Sequence, residues 1–140
     1  MMKLFTSFVS PATFRGYIEQ NYLPIFIVRN IKNSELVGHF EGSILHFKEF
    51  SPSNELFRAK RDGLIDKEEF RREYIGEIRN QNLLGLLGKL EYLAGIANTD
   101  KVVLLGYGSR AEDCHRTILA DYLLATGLVT EPINEIRKEN

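Results

Sequence analysis

The sequence predicts a single α/β domain of three layers, in which a mostly parallel sheet carries helices on both faces. Two apolar runs rich in β-branched residues, 25–28 and 102–105, are typical of strands that are covered on both sides. Helical patterns separate these runs, and such alternation is typical of parallel α/β folds with right-handed crossovers. The chain of 140 residues is long enough for one domain with a full hydrophobic core.

The beginning of the chain predicts a strand, a helix and a second strand. Residues 3–8 form the first strand, and Ser10 followed by Pro11 marks the start of a helix that ends near residue 21. The second strand covers the apolar run 25–28. The side chains expected on the buried face of the helix are Phe14, Tyr17 and Ile18.

The middle of the chain predicts a long loop followed by two helices. Residues 31–50 lack a clear period and are interpreted as a loop with a short strand or helical turn. A short helix is expected over 54–60, and Asp66 followed by Glu69 resembles the capping box of a second helix. Charges of both signs nearly cancel along 58–79, which favours a solvated helix over a nucleic-acid patch. The apolar residues that recur there at helical spacing are Phe70, Tyr74 and Ile78.

Residues 82–97 show the clearest amphipathic pattern in the chain. Three glycines lie inside this predicted helix, and each costs about 1 kcal/mol relative to alanine. We interpret them as places of close packing within the chain, in preference to a tight contact in a homodimer. The glycines are Gly85, Gly88 and Gly95, and the apolar stripe comprises Leu83, Leu86, Leu87, Leu90, Leu93, Ala94 and Ala97.

The last third of the chain predicts another strand and helix. The strand covers 101–107, and Asp113 is expected to cap a helix over 114–126 that Gly127 ends. The tail 128–140 is expected to add an edge strand or a short helix, with mobile last residues.

Composition excludes several classes of protein. The net charge is −1, which argues against extensive nucleic-acid binding while leaving room for a local basic pocket. The sequence contains neither an apolar run long enough for a membrane span nor a signal-peptide pattern, so we expect a soluble cytoplasmic protein. Cys114 is the one cysteine, which rules out an intrachain disulfide and any site built from several cysteines.

No metal or cofactor is predicted. The chain lacks a P-loop, a dinucleotide fingerprint and a GxSxG elbow. The three histidines, at 39, 46 and 115, do not form a metal-ligand spacing. A pair of His39 and His46 with a carboxylate is the weaker metal-binding alternative.

Polar side chains follow the predicted strands, and Cys114, His115 and Arg116 open the last helix. Ligands of parallel sheets bind beyond the carboxyl ends of the strands. A helix N-terminus attracts anions and lowers the pKa of a thiol there, as does a neighbouring cation. A reactive thiolate or an anion site is therefore one interpretation. Its structural alternatives are a buried apolar cysteine, a capping or core histidine and an acid-paired arginine.

The same residues carry a resemblance to a known family. The strand 102–107, followed by Cys114-His115-Arg116, resembles the C-terminal motif of the DUF488 family, a domain of unknown function. Segments 4–8 and 25–29 resemble its first two strands, and the resemblance spans about residues 3–126. It implies an α/β fold and one shared pocket formed by Thr6, Ser7, Arg29, Tyr107, Cys114, His115 and Arg116.

Two glycines depart from the family pattern. Gly106 stands where the family has a first cysteine, and Gly108 stands where it has glutamate. Three functions remain open: an enzyme acting on a small anionic or nucleotide-like ligand, a non-catalytic binding module for a nucleotide, phosphate or nucleic-acid end, and an accessory interaction protein. In the enzyme, Cys114 is a nucleophile or a supporting donor, and His115 is a general acid or base. In either of the first two, Arg29 and Arg116 hold the anion.

Overall fold

The computed structural model of the protein describes residues 2–29, 45–107 and 114–136. Its sheet has five strands in the order β3-β2-β4-β1-β5, and every neighbouring pair is parallel. This confirms the predicted α/β class. The strands are β1 (Lys3–Phe8), β2 (Leu23–Phe26), β3 (Leu45–His46), β4 (Lys101–Gly106) and β5 (Asn134–Glu135).

Five α-helices connect the strands in the described part of the chain, and local capping explains where several of them start. Ser10 caps α1 with a reciprocal capping box, and Asp66 caps α3 by accepting from the Glu69 main-chain N–H. Gly127, at φ +77°, follows α5 in the left-handed conformation that glycine adopts readily. The helices are α1 (Pro11–Glu19), α2 (Asn54–Arg61), α3 (Lys67–Arg79), α4 (Leu83–Ile96) and α5 (His115–Ala125).

The sheet separates two hydrophobic clusters. On one face, α1 packs Phe14 and Tyr17 against strand residues such as Val103. On the other face, α2 to α5 form a larger cluster that includes Tyr74 and Leu104. Because both faces are covered, β2 and β4 are apolar almost throughout.

Several local expectations differ from the structure. Ile18 is 39% exposed, because it lies on the flank of α1 and not on the stripe of Phe14 and Tyr17. The Cβ positions of Gly88 and Gly95 meet no neighbouring atom of the described residues within 4 Å. These two glycines therefore do not serve the close packing within the chain that we expected.

Three predictions fall partly or wholly outside the described residues. The region 31–50 contributes the short strand β3 and a 3₁₀ turn at Lys48–Phe50, while 30–44 lie outside. Asp113, the expected cap of the last helix, also lies outside, and Cys114 occupies the N-cap position of α5. The edge-strand alternative for the tail is confirmed by β5, and residues 137–140 lie outside.

Within the described ranges, no helix is both long enough and apolar enough to cross a membrane.

Candidate functional site

The site forms where β4 ends and α5 begins. Gly106 is the last residue of β4, and a Cβ atom there would lie 2.9 Å from Cys114 Sγ. Real Cβ atoms essentially never approach a neighbour so closely, so the absence of a side chain at Gly106 allows the sulfur to sit against the strand. This places Cys114 beyond the carboxyl end of the central strand, where parallel sheets bind their ligands.

Cys114 and His115 form a thiol–imidazole pair. Sγ of Cys114 lies 3.8 Å from Nδ1 of His115. The other ring nitrogen, Nε2, hydrogen-bonds the main-chain carbonyl of Ile27. A carbonyl oxygen can only accept, so Nε2 carries a proton. Nδ1 is therefore the nitrogen that exchanges a proton with the sulfur.

Tyr74 packs against the imidazole from α3. Its ring meets that of His115 edge to face, with centroids 5.6 Å apart. Its hydroxyl donates to the carbonyl of Phe50, and the whole side chain is buried. Burial raises the pKa of Tyr74 well above its ordinary value, and the negative charges of Cys114 and Glu77 raise it further. Tyr74 is thus uncharged, and its packing against the imidazole restricts the rotation of the His115 ring.

The surroundings favour the thiolate of Cys114. Burial alone would raise the pKa of this thiol, since a charged sulfur loses its hydration. The hydrogen bond and charge of His115, followed by the charge and main-chain N–H of Arg116, outweigh burial and lower the pKa to about 6. The thiolate is therefore the main form at neutral pH.

Arg116 lies between Cys114 and a carboxylate. Its side chain is fully buried. Nε lies 3.0 Å from Oε1 of Glu135, and Nη2 lies 2.9 Å from Oε2. Thr6 Oγ1 donates to the same Oε1 at 2.7 Å. Burial would lower the pKa of Arg116, but its hydrogen bond with Glu135 and the charges of Cys114 and Glu135 raise it.

The predicted site residues divide between the two faces of the sheet. Thr6 joins Arg116 through Glu135. Ser7 faces α1 instead, where its Oγ accepts from the Tyr17 hydroxyl at 2.6 Å. Tyr107 packs against the cluster on the α1 side. Side chains alternate along a strand, which separates Thr6 from Ser7.

Arg29 is bound to a loop. Its Nε donates to the carbonyl of Pro52 at 3.1 Å and its Nη2 to that of Ser51 at 3.4 Å. These bonds hold the segment that leads into α2. A ligand would have to share this guanidinium with the two carbonyls.

The weaker metal-binding alternative receives no support from His46. Its Nε2 hydrogen-bonds the carbonyl of Val28, and His39 lies outside the described residues. Among the residues that the structure describes, no group of three or more His, Cys, Asp or Glu side chains could hold a metal ion.

The sequence does not point to three groups of the site. Tyr74 has the ordinary spacing of a core residue, the Ile27 carbonyl belongs to the main chain, and Glu135 lies in the tail. No pattern in the sequence indicates that Arg116 pairs with Glu135, which follows it by 19 residues.

A cavity of about 540 Å³ lies elsewhere in the fold. Residues at the start of β1, one side of α4 and the segment 128–134 line it. It is therefore at the amino end of β1, away from Cys114 at the carboxyl end of β4.

Comparison with models of protein families places most of the chain in a known family. The model of the DUF488-N3a family, described as the active DUF488-N3 subclade, matches residues 29–127. The match includes β3, β4 and the Cys114-His115-Arg116 segment, and it leaves out β1, α1, β2 and β5. Searches among curated proteins and among solved structures found no significant match.

Proposed function

The chain belongs to the DUF488-N3a family, and we propose that it is an enzyme whose nucleophile is the thiolate of Cys114. The observation that carries this proposal is the pair of Cys114 Sγ and His115 Nδ1, in which the Ile27 carbonyl orients the imidazole. A nucleophile, a base and a group that orients the base are the arrangement that covalent catalysis requires. The description of the subclade as active agrees with an enzyme.

The reaction class is the transfer of a group through a thio-adduct. The sulfur of Cys114 forms a bond to an electrophilic carbon or phosphorus of the substrate, and the bond from that atom to the leaving group breaks. The leaving group departs with the electron pair and takes the proton from His115 Nδ1. Water then attacks the adduct, gives its proton to Nδ1, and releases the thiolate.

The substrate class is a small anionic or nucleotide-like molecule. The main-chain N–H groups at the start of α5 are suited to an anion that approaches Cys114. Arg116 already pairs with Glu135 and its charge favours the Cys114 thiolate, so we assign it to the thiolate and not to the substrate. A free thiol fits a reducing compartment, and we expect the enzyme in the cytoplasm.

Alkylation of the native protein by iodoacetamide tests this proposal. Cys114 is the one cysteine of the chain, so mass spectrometry of the intact protein reports on this thiol alone. We expect the rate of alkylation to rise with pH through a midpoint of about 6, well below the midpoint of glutathione, which is mostly protonated at that pH. Cys114→Ser is the control and should not react. A midpoint as high as that of glutathione would refute the activated nucleophile.

A non-catalytic binding module is the second candidate, and the burial of Cys114, 5% exposed, favours it. In that case Cys114→Ser retains binding of a nucleotide, whereas Arg29→Ala loses it. Isothermal titration with ATP and with inorganic phosphate measures this. Arg116→Ala is less suited to the test, because it leaves the Glu135 carboxylate without its partner. Retained binding in Arg29→Ala would contradict this candidate.

Interaction through α4 is the third candidate. Leu84, Tyr92 and Ile96 on this helix are between 67% and 70% exposed, and the Cβ position of Gly88 is open. A homodimer would cover these side chains. Light scattering of folded Gly88→Leu should show a smaller mass than the native protein, and an unchanged mass would count against this candidate.

A further inference from the structure

The geometry points to Glu135 as a positioning residue, which holds the Arg116 guanidinium so that it faces the sulfur of Cys114. This inference rests on the proposed function, since it concerns the same thiolate. It assigns a role to the C-terminal strand β5, which lies outside the match to the family at residues 29–127.

Two donors of one guanidinium edge bind the carboxylate. Nε of Arg116 lies 3.0 and 3.3 Å from Oε1 and Oε2 of Glu135, and Nη2 lies 2.9 Å from Oε2. Such a forked pair fixes the plane of the guanidinium as well as its position. The remaining nitrogen, Nη1, is thereby directed toward the end of β4, where it lies 3.4 Å from the Cβ position of Gly106.

The sulfur of Cys114 occupies the same place. Sγ lies 2.9 Å from that Cβ position of Gly106, and the charge and main-chain N–H of Arg116 lower the pKa of Cys114. One planar group therefore joins the carboxylate on one side to the thiolate on the other. Arg116 is fully buried. Water could therefore replace it as the partner of the carboxylate or of the thiolate only at a large cost in free energy.

Glu135 is itself held in place. Thr6 Oγ1 donates to its Oε1 at 2.7 Å, and Thr6 pairs with Glu135 across the parallel β1–β5 ladder. The main-chain N–H of Ile136 donates to the Thr6 carbonyl at 2.7 Å. Strand β5 contains two residues, and its side chain at position 135 is the one that reaches Arg116.

In the described parts of the chain, the charged and titratable groups around the thiol come from three elements. His115 and Arg116 belong to α5, Tyr74 belongs to α3, and Glu135 belongs to β5. Glu135 is the carboxylate among the groups just named. Its charge and its positioning of Arg116 therefore have opposite effects on the thiol, which makes the two roles separable.

The substitution Glu135→Gln tests the inference through the pH profile of Cys114 alkylation. If Glu135 positions Arg116, the glutamine side chain disturbs the forked pair, and the midpoint of the alkylation profile rises by about one pH unit. If Glu135 acted only as a charge, its loss would leave a more positive site and lower the midpoint. If it were only structural, the midpoint would stay unchanged while the melting temperature falls. The last two results overturn the inference.

Glu131→Gln is the matched control. It removes the same charge from the same segment, but Glu131 is an exposed side chain and should leave the midpoint unchanged. If Glu135→Gln does not fold, Thr6→Val can replace it, because this variant removes only the hydroxyl that orients Glu135. It should raise the midpoint by a smaller amount than Glu135→Gln. An unchanged midpoint in folded Thr6→Val also overturns the inference.

The native profile separates this inference from the proposed function. A native midpoint near that of an ordinary thiol would contradict the proposed nucleophile itself. A native midpoint of about 6 that Glu135→Gln does not raise would contradict the role of Glu135 alone.

Discussion

Replacing His115 with glutamine should abolish most of the activation of Cys114. Glutamine keeps an N–H that can reach the Ile27 carbonyl, but it has no nitrogen that accepts or carries a proton beside Sγ. The hydrogen bond and the charge of His115 are the two largest influences that lower the pKa of Cys114 to about 6. Without them, burial and Arg116 oppose each other, and the pKa returns toward the ordinary thiol value of about 8.5.

The size of the kinetic effect depends on pH. At about pH 5.5, a thiol of pKa about 6 is roughly one quarter ionised, and one of pKa about 8.5 is roughly one-thousandth ionised, a ratio of about 200. A more basic thiolate is also a better nucleophile, by about tenfold over this range. The variant should therefore react about 20-fold more slowly at this pH.

Exchange with a small dipyridyl disulfide measures this rate, because the released thiopyridone absorbs light. His46→Gln is the matched control, since His46 Nε2 also hydrogen-bonds a main-chain carbonyl, that of Val28, without touching the thiol. Equal rates for His115→Gln and the native protein across the acidic range would refute the role of the imidazole.

Three further results follow from the same geometry. The folded-state pKa of Cys114 lies below the unfolded value, so its ionisation stabilises the fold fully above about pH 8.5, and this contribution is lost as the pH falls through about 6. In urea unfolding, the free energy of unfolding of the native protein should rise by roughly 3 kcal/mol relative to that of Cys114→Ser as the pH increases from about 6 to about 8.5. Free energies of unfolding that change in parallel with pH would contradict this. Gly106→Ala should destabilise the fold by about 1–3 kcal/mol because its Cβ meets Sγ, while Gly88→Ala should stabilise it by about 1 kcal/mol; thermal melts that reverse this order would contradict the packing. Tyr74→Phe leaves the Phe50 carbonyl without its hydrogen bond and should lower the free energy of unfolding by about 1–3 kcal/mol. Unfolding of both proteins in urea measures this difference, and unchanged stability would contradict the buried hydrogen bond.

Local chemistry explains which parts of the fold the sequence predicts well. Strand β1 occupies Lys3–Phe8 as expected, and α1 starts where Ser10 and Pro11 supply a cap and a fixed φ. These features depend on neighbouring residues alone. The resemblance carried by Cys114-His115-Arg116 likewise depends on a contiguous segment, and the family match confirms it.

The remaining features depend on contacts that no local pattern encodes. Glu135 pairs with Arg116 across 19 residues, from a strand too short to show a period. The Ile27 carbonyl, which orients His115, is a main-chain group that any residue would supply. Ile18 was expected to be buried but is exposed. A side chain on the flank of a helical stripe is buried only if a neighbouring element covers it, and the spacing along the helix does not reveal this.

The ultraviolet absorbance of the Cys114 thiolate as a function of pH tests the proposed nucleophile most directly. It needs no reagent to reach a buried sulfur, and Cys114→Ser supplies the baseline, since the chain has no other cysteine. The thiolate–imidazole site predicts a transition with a midpoint of about 6. A midpoint at or above the ordinary thiol value of about 8.5 would contradict it.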